Sequence, residues 1–215
     1  MTLPAPELPE WARQSEPVEG VQIDIGFVIA PSFYFGPENG FSAVQWEALR
    51  EPLEPPAIPL VAQHFVLSAD SIGKADALCR HYRDVFDKAA HHGKDPRRGA
   101  YFWNRPVVHV PGGLVLSFPW HDHFIDGRLF IESLATDEAG EVFSCYEQGW
   151  EFDLHLHDGT LYLREGDPDS GATHHNLRFA HEPVRAQVAG VMTRVEALIA
   201  RLTREFGRDY WTPRN

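Results

Sequence analysis

Residues 149–165 read GWEFDLHLHDGTLYLRE, two runs of alternating apolar and polar side chains joined by Asp158-Gly159. Alternation of period two marks a half-buried strand, and an Asp-Gly pair between two such runs fits a two-residue turn of the primed type. Counting outward from that turn sets the cross-strand partners: His157 with Thr160, Leu156 with Leu161, His155 with Tyr162, Leu154 with Leu163, and Asp153 with Arg164. Trp150, Phe152, Leu154, Leu156, Leu161 and Leu163 then share one face, which becomes core. Glu151, Asp153, His155, His157, Thr160, Tyr162 and Arg164 share the other, a polar row in which Asp153 and Arg164 are placed to pair.

Downstream of the hairpin lies an acidic loop within EGDPDSGATHHN, and Pro183 then opens a helix. Val184, Val188, Val191, Val195, Leu198, Leu202 and Phe206 recur along it at steps of three and four, with Gly207 at its stop. A helix with one apolar stripe needs an apolar surface to cover, and a sheet supplies one. Upstream, VVHV, GLVLSFPW, FIDGRLFIESL with Asp126-Gly127 as a tight turn, and VFSCY read as strands of an antiparallel meander. Further upstream, Val21–Ile29 and Leu60–Leu67 read as strands. Between these regions, Ile72, Ala75, Leu78 or Cys79, Tyr82, Val85 or Phe86, and Ala89 sit at helical spacing, with Ser71 as N-cap and Gly93 beyond the end. His91 and His92 close that helix, where the macrodipole favours positive charge. The expected fold class is α+β: an antiparallel meander sheet with one long C-terminal helix and one central helix packed on one face.

Pro4, Pro6, Pro9 and Pro17 interleave with Glu7, Glu10, Glu16 and Glu19, so residues 1–20 read as a flexible arm. Residues 21–215 read as a single α+β domain, with the proline cluster EPLEPPAIP either a linker or a long surface loop inside it. At 215 residues and 43% hydrophobic composition the chain can bury a substantial core. Neither end carries an apolar run that would span a bilayer or serve as a secretory signal, so the expectation is a soluble cytoplasmic protein with no membrane partner. Cys79 and Cys145 lack metal or redox spacing and fit a reducing compartment. The net charge of -12 is uneven, with -7 in residues 1–60 and -10 in residues 101–182. Such a surface repels nucleic acid phosphates and favours a basic partner.

Catalytic motifs are weak. His155 with His157, and His121 with His123, are HxH pairs, but no glutamate follows either as a cupin-like site requires. Ile125 and Asp126 stand where a binuclear zinc hydrolase pattern needs Asp and His. Asp167 and Asp169 start like a calcium loop that fails at Gly171 and Ala172, so a solvated turn is expected there. No nucleophile elbow, phosphate-cradling loop or dinucleotide fingerprint occurs. Neither a metal nor a cofactor nor a catalytic residue is expected. Cys145 reads as a structural thiol, and the arginines of the last helix as a solvated face with pairs such as Arg201 to Glu205.

The tryptophan-led acidic strand, the Asp158-Gly159 hairpin, the Asp167–Asp169 loop, the long closing helix and the ending Phe206-Gly207-Arg208-Asp209-Tyr210-Trp211 together resemble small acidic immunity proteins of bacterial polymorphic and contact-dependent toxin systems. The resemblance covers about the last third of the chain and is one of layout. It implies a non-enzymatic protein that binds a cognate toxin and blocks its active site. The expectation is therefore a binding protein that neutralises a protein partner, such as a basic toxin domain. Its expected contact surface is the row Glu151, Asp153, His155, His157, Tyr162 and Arg164. The alternatives are a small hydrolase-like enzyme using Cys145 or a histidine cluster, and an accessory subunit of a larger complex.

Overall fold

The computed structural model describes residues 7–37 and 42–212. In chain order its elements are β1 (Glu16–Pro17), β2 (Gln22–Val28), β3 (Ser32–Tyr34), α1 (Ala43–Ala48), β4 (Arg50–Pro52), β5 (Phe65–Leu67) and α2 (Ala75–His91). They continue with β6 (Asn104–Val110), β7 (Leu114–Ser117), α3 (Phe124–Ser133), β8 (Gly140–Glu147), β9 (Trp150–His157), β10 (Thr160–Asp167), β11 (Ala172–Ala180) and α4 (His181–Phe206). The fold is α+β, with an antiparallel meander and a long C-terminal helix. Among the described residues no helix is long and apolar enough to cross a membrane.

Asp158 (φ 46°) and Gly159 (φ 70°) both take the left-handed conformation that a primed turn demands. The β9–β10 register follows from it: His157 opposite Thr160, His155 opposite Tyr162, Asp153 opposite Arg164. These are the pairings counted from the sequence.

The described chain divides into two compact units, with the backbone passing between them inside β2, β6, α3 and α4 and after Trp120. The first is built from Met1–Asp24, Pro106–Trp120 and Asp126–Met192. It contains the five-stranded sheet, ordered β1-β11-β10-β9-β8 and antiparallel except where β1 runs parallel to β11. Phe152, Leu154, Leu161 and Leu163 are wholly buried on one face of this sheet. Phe130 of α3 packs on that face, with its ring 5.2 Å from Phe143 and 5.9 Å from Phe152, and Phe118 lies 4.1 Å from Phe152. α4 begins where its first amide donates to the Gly159 carbonyl at 2.9 Å, and buries Val184, Val188 and Val191. Gln187 ties it to the start of β2, accepting from Ile23 N and donating to Val21 O, each at 3.0 Å.

Three expectations change here. FIDGRLFIESL is not a strand pair turning at Asp126-Gly127 but the helix α3, which continues through that dipeptide. Phe124, Phe130, Ile131 and Leu134 are buried at helical spacing, while Ile125 and Leu129 are exposed, so apolar residues on both faces masked the period. Part of the presumed loop after β10 is the strand β11, whose Leu177 and Phe179 are buried in alternation; α4 accordingly starts at His181 rather than Pro183. Within the expected arm 1–20, residues 1–6 lie outside the described residues. Glu10–Gln14 forms a 3-10 turn around the fully buried Ala12, and β1 adds to the sheet edge. Val18 N donates to the Arg178 carbonyl at 2.9 Å. A sheet edge satisfies backbone groups that this proline-rich composition cannot satisfy by itself.

The second unit comprises Ile25–Arg105, His121–Ile125 and Thr193–Asn215. β5 pairs antiparallel with the end of β2, and β3 with β4; residues 38–41 of the turn-rich stretch after β3 lie outside the described residues. Of the expected strand Leu60–Leu67, Phe65–Leu67 forms β5, and Val61 makes an isolated bridge to Phe65. α2 starts at Ala75 rather than near Ser71, whose hydroxyl donates to the Leu67 carbonyl instead of capping the helix, and Ile72 is exposed. Gly93, at φ 61°, ends it as expected. Around Tyr82 an aromatic core gathers Phe102, Phe206 and Trp211. The C-terminal segment is held in this core: Asn104 Nδ2 and Phe124 N both donate to the Trp211 carbonyl, at 3.0 and 2.9 Å.

Candidate functional site

The polar face of the five-stranded sheet carries the row anticipated from the hairpin, and the structure shows what occupies it. Arg164 is its centre. Its Nη2 lies 2.6 Å from Asp153 Oδ2 and 2.9 Å from Glu151 Oε2, so one guanidinium serves both acids. Ser144 Oγ, one strand out on β8, donates to Asp153 Oδ1 at 3.0 Å. His155 is buried, and burial together with the neighbouring His157 pushes its pKa below the usual histidine value against an opposing pull from Glu141. His157 is half-buried, with Nε2 3.4 Å from Asp158. Tyr162 lines a cavity of about 550 Å³ with Val21, Pro183 and Arg178, whose guanidinium donates to the Ser15 carbonyl.

The row is partly covered. The 3-10 turn Glu10–Gln14 packs against β10 and β11, the Trp11 ring sits 5.5 Å from the Arg164 guanidinium carbon, and Asn176 Nδ2 donates to the Trp11 carbonyl at 2.8 Å. Among the described residues the β8–β9 half lacks this cover. Directly paired residues share a face, so Tyr146, Ser144 and Glu141 of β8 extend the row beyond Glu151, Asp153 and His155. β8 ends the order of this sheet. Tyr146 is 60% exposed, and Glu141 and Ser144 are exposed too. The six anticipated residues therefore do share a face, but the single charge of Arg164 is shared by two acids, leaving the trio net negative, and His155 is withdrawn from solvent. Sequence reasoning missed Glu141, Ser144 and Tyr146, although the VFSCY strand signal contained Ser144 and Tyr146 and lay close before the hairpin.

Other candidate chemistries are placed as follows. Cys145 pairs with Phe152, so its side chain belongs to the core-facing side, where it is half-buried. Among the described residues no three His, Cys, Asp or Glu side chains gather as a metal set. Asp167 is used within its own turn: Oδ1 accepts from Asp169 N at 2.9 Å, and Oδ2 from Ser170 Oγ at 2.7 Å. The Ser170 hydroxyl is the main cause of its lowered pKa. Two arginines of α4 are paired with acids, Arg185 with Asp137 and Arg201 with both Glu205 and Asp76. His92, placed by sequence at a helix end for its dipole, stacks 4.3 Å from Phe35 and meets Glu51 at 3.0 Å.

Comparison of the chain with protein-family models, with curated proteins and with solved structures finds no match. The functional reading rests on the residues and their geometry.

Proposed function

We propose that the protein is a non-catalytic binding protein of the immunity type, which neutralises a basic protein partner through the open half of the polar sheet face. The observation that carries this reading is Tyr146: an aromatic side chain 60% exposed on the terminal strand of the sheet, opposite Glu151 on a face that also carries Asp153 and Glu141. Exposed tyrosines supply contact area at low entropic cost and are over-represented among residues that dominate interface energies. The surrounding acids suit a positively charged partner, speeding encounter more than they tighten the complex. The resemblance of the C-terminal third to immunity proteins points to a toxin domain as that partner.

The reading is tested by co-expressing the protein with a toxic domain encoded beside it and scoring growth. Wild type protects. Tyr146→Ala combined with Glu141→Lys abolishes protection while the purified variant keeps its unfolding midpoint. Full protection by that folded variant removes this face from the function, and restoration of protection failing in wild type removes the immunity reading.

A further inference from the structure

A second cavity, of about 800 Å³, lies wholly within the second unit and is lined by the β3–β4 hairpin, α1 and the segment that follows α2. Its walls are aromatic. Tyr34 and Trp46 stack with ring centroids 4.1 Å apart and planes 17° from parallel, and the Arg50 guanidinium lies 5.2 Å from the Trp46 centroid. Tyr101 is fixed by accepting a hydrogen bond from Tyr34 N at 2.8 Å. Two glycines make room for these rings: a Cβ at Gly36 would stand 2.4 Å from the Tyr34 hydroxyl, and one at Gly99 would stand 2.3 Å from the Tyr101 ring.

The charge of the lining opposes that of the chain. Arg50, Lys94 and Arg98 stand against a single acid, Asp95. That acid is already engaged: Arg97 clamps both carboxylate oxygens at 2.9 Å, and this hydrogen bonding holds the Asp95 pKa down at about 2. Arg50 and Lys94 are placed differently from several other cations of the protein. Lys88, Arg105, Arg164 and Arg201 each hydrogen-bond a carboxylate. Arg50 instead donates to the Ser32 hydroxyl at 3.0 Å, Glu47 stands 3.9 Å away on a largely exposed side chain, and the buried Arg50 Nε has no hydrogen-bond partner among the described residues. Lys94 Nζ donates to the neutral Gly36 carbonyl at 2.9 Å. A chain of net charge -12 thus keeps two cations on neutral acceptors inside an aromatic-walled cavity. An anion there gains charge-assisted hydrogen bonds, and a flat ring gains the aromatic wall.

We infer that this cavity binds a small planar aromatic anion, a ring bearing a phosphate or a carboxylate. The ring lies against the Tyr34–Trp46 layer and the anion takes Arg50 and Lys94. A neutral ring would leave the cations unmatched, and a bare anion would leave the aromatic wall unused.

Isothermal titration of the 215-residue chain tests this, with AMP as the phosphate probe and indole-3-acetate as the carboxylate probe. At least one binds saturably with a Kd below about 1 mM, and its ring-only or anion-only counterpart, adenosine or inorganic phosphate for AMP and indole or acetate for indole-3-acetate, binds at least about tenfold more weakly. Binding of one probe alone assigns the anion as phosphate or carboxylate. Trp46→Ala and Lys94→Ala each weaken binding about tenfold, whereas Lys94→Arg retains it. Both residues are at the surface, and unchanged circular dichroism and unfolding midpoints confirm folded variants. The inference is overturned if neither probe binds, if a ring-only or anion-only counterpart binds as tightly as its parent probe, or if the alanine variants bind like wild type.

Discussion

Replacing Arg164 with methionine keeps the apolar stem and removes the guanidinium that links Glu151, Asp153 and Trp11. The Asp153 side chain is 15% exposed and the Glu151 side chain 28%, with Arg164 itself at 25%. A fully exposed ion pair contributes about 0.2 to 1 kcal/mol, while a hydrogen bond to a charged group shielded from water contributes about 1.5 to 3 kcal/mol. The Asp153 interaction, with Nε and Nη2 both on Oδ2 at 3.2 and 2.6 Å, falls between these at about 1 to 1.5 kcal/mol. Glu151, more exposed and held at one contact, adds about 0.5 kcal/mol, and the Trp11 ring about 0.5 kcal/mol more. The expected loss is about 2 to 2.5 kcal/mol in urea unfolding followed by circular dichroism. A cycle with Trp11→Ala should show a coupling of about 0.5 kcal/mol, because removing either partner abolishes the same cation–π contact. A loss below about 0.5 kcal/mol would mean that Arg164 behaves as an ordinary surface charge, and the account of a row organised by Arg164 under an N-terminal cover would be wrong.

Trp211→Ala should cost about 3 to 5 kcal/mol in the same assay, since the ring is fully buried against Tyr82 and Phe102; a loss below about 1 kcal/mol contradicts its role as the C-terminal anchor. Gly166→Ala places a Cβ 2.9 Å from the Ala172 carbonyl at the β10–β11 bulge and should cost about 1 to 3 kcal/mol, a neutral effect showing that the bulge yields freely. Acid stability provides a third check. His81 and His155 both have pKa values below the ordinary 6.5, burial being the main cause in each. The unfolded chain then binds protons more readily than the folded one, so stability is full above pH 6.5 and falls as the pH drops from there through the folded values. Replacing both by glutamine should flatten the unfolding midpoint across that window, and an unchanged slope would assign the acid sensitivity elsewhere.

The β9–β10 hairpin was legible because two local signals agreed, period-two alternation and an Asp-Gly turn, and register then follows by counting. α3 was not. Its Asp126-Gly127 imitates a turn, and exposed Ile125 and Leu129 put apolar residues on the face that should have been polar. β11 and β1 were missed for a different reason: each is a strand because of what it pairs with, and β1 finds its partner about 160 residues away in the chain. The same distance effect limited the site. Alternation shows that Glu151, Asp153, His155 and Arg164 share a face, but the cover over Arg164 comes from Trp11, and the extension toward Tyr146 depends on the pairing of β8 with β9. The aromatic cavity of the second unit had no linear signature, since its lining comes from residues 30–37, 46–50 and 93–101, which meet through packing.

The central claim is that the open β8–β9 face contacts a basic protein. Quantitative affinity capture from the native cells, comparing wild type with Tyr146→Ala/Glu141→Lys and with the control Glu16→Lys on β1, tests it most directly. The account predicts one stoichiometric partner rich in lysine and arginine, retained by wild type and by the β1 control and lost with the β8 variant. Equal recovery by all three folded proteins, or a partner whose contact surface is acidic, would contradict it.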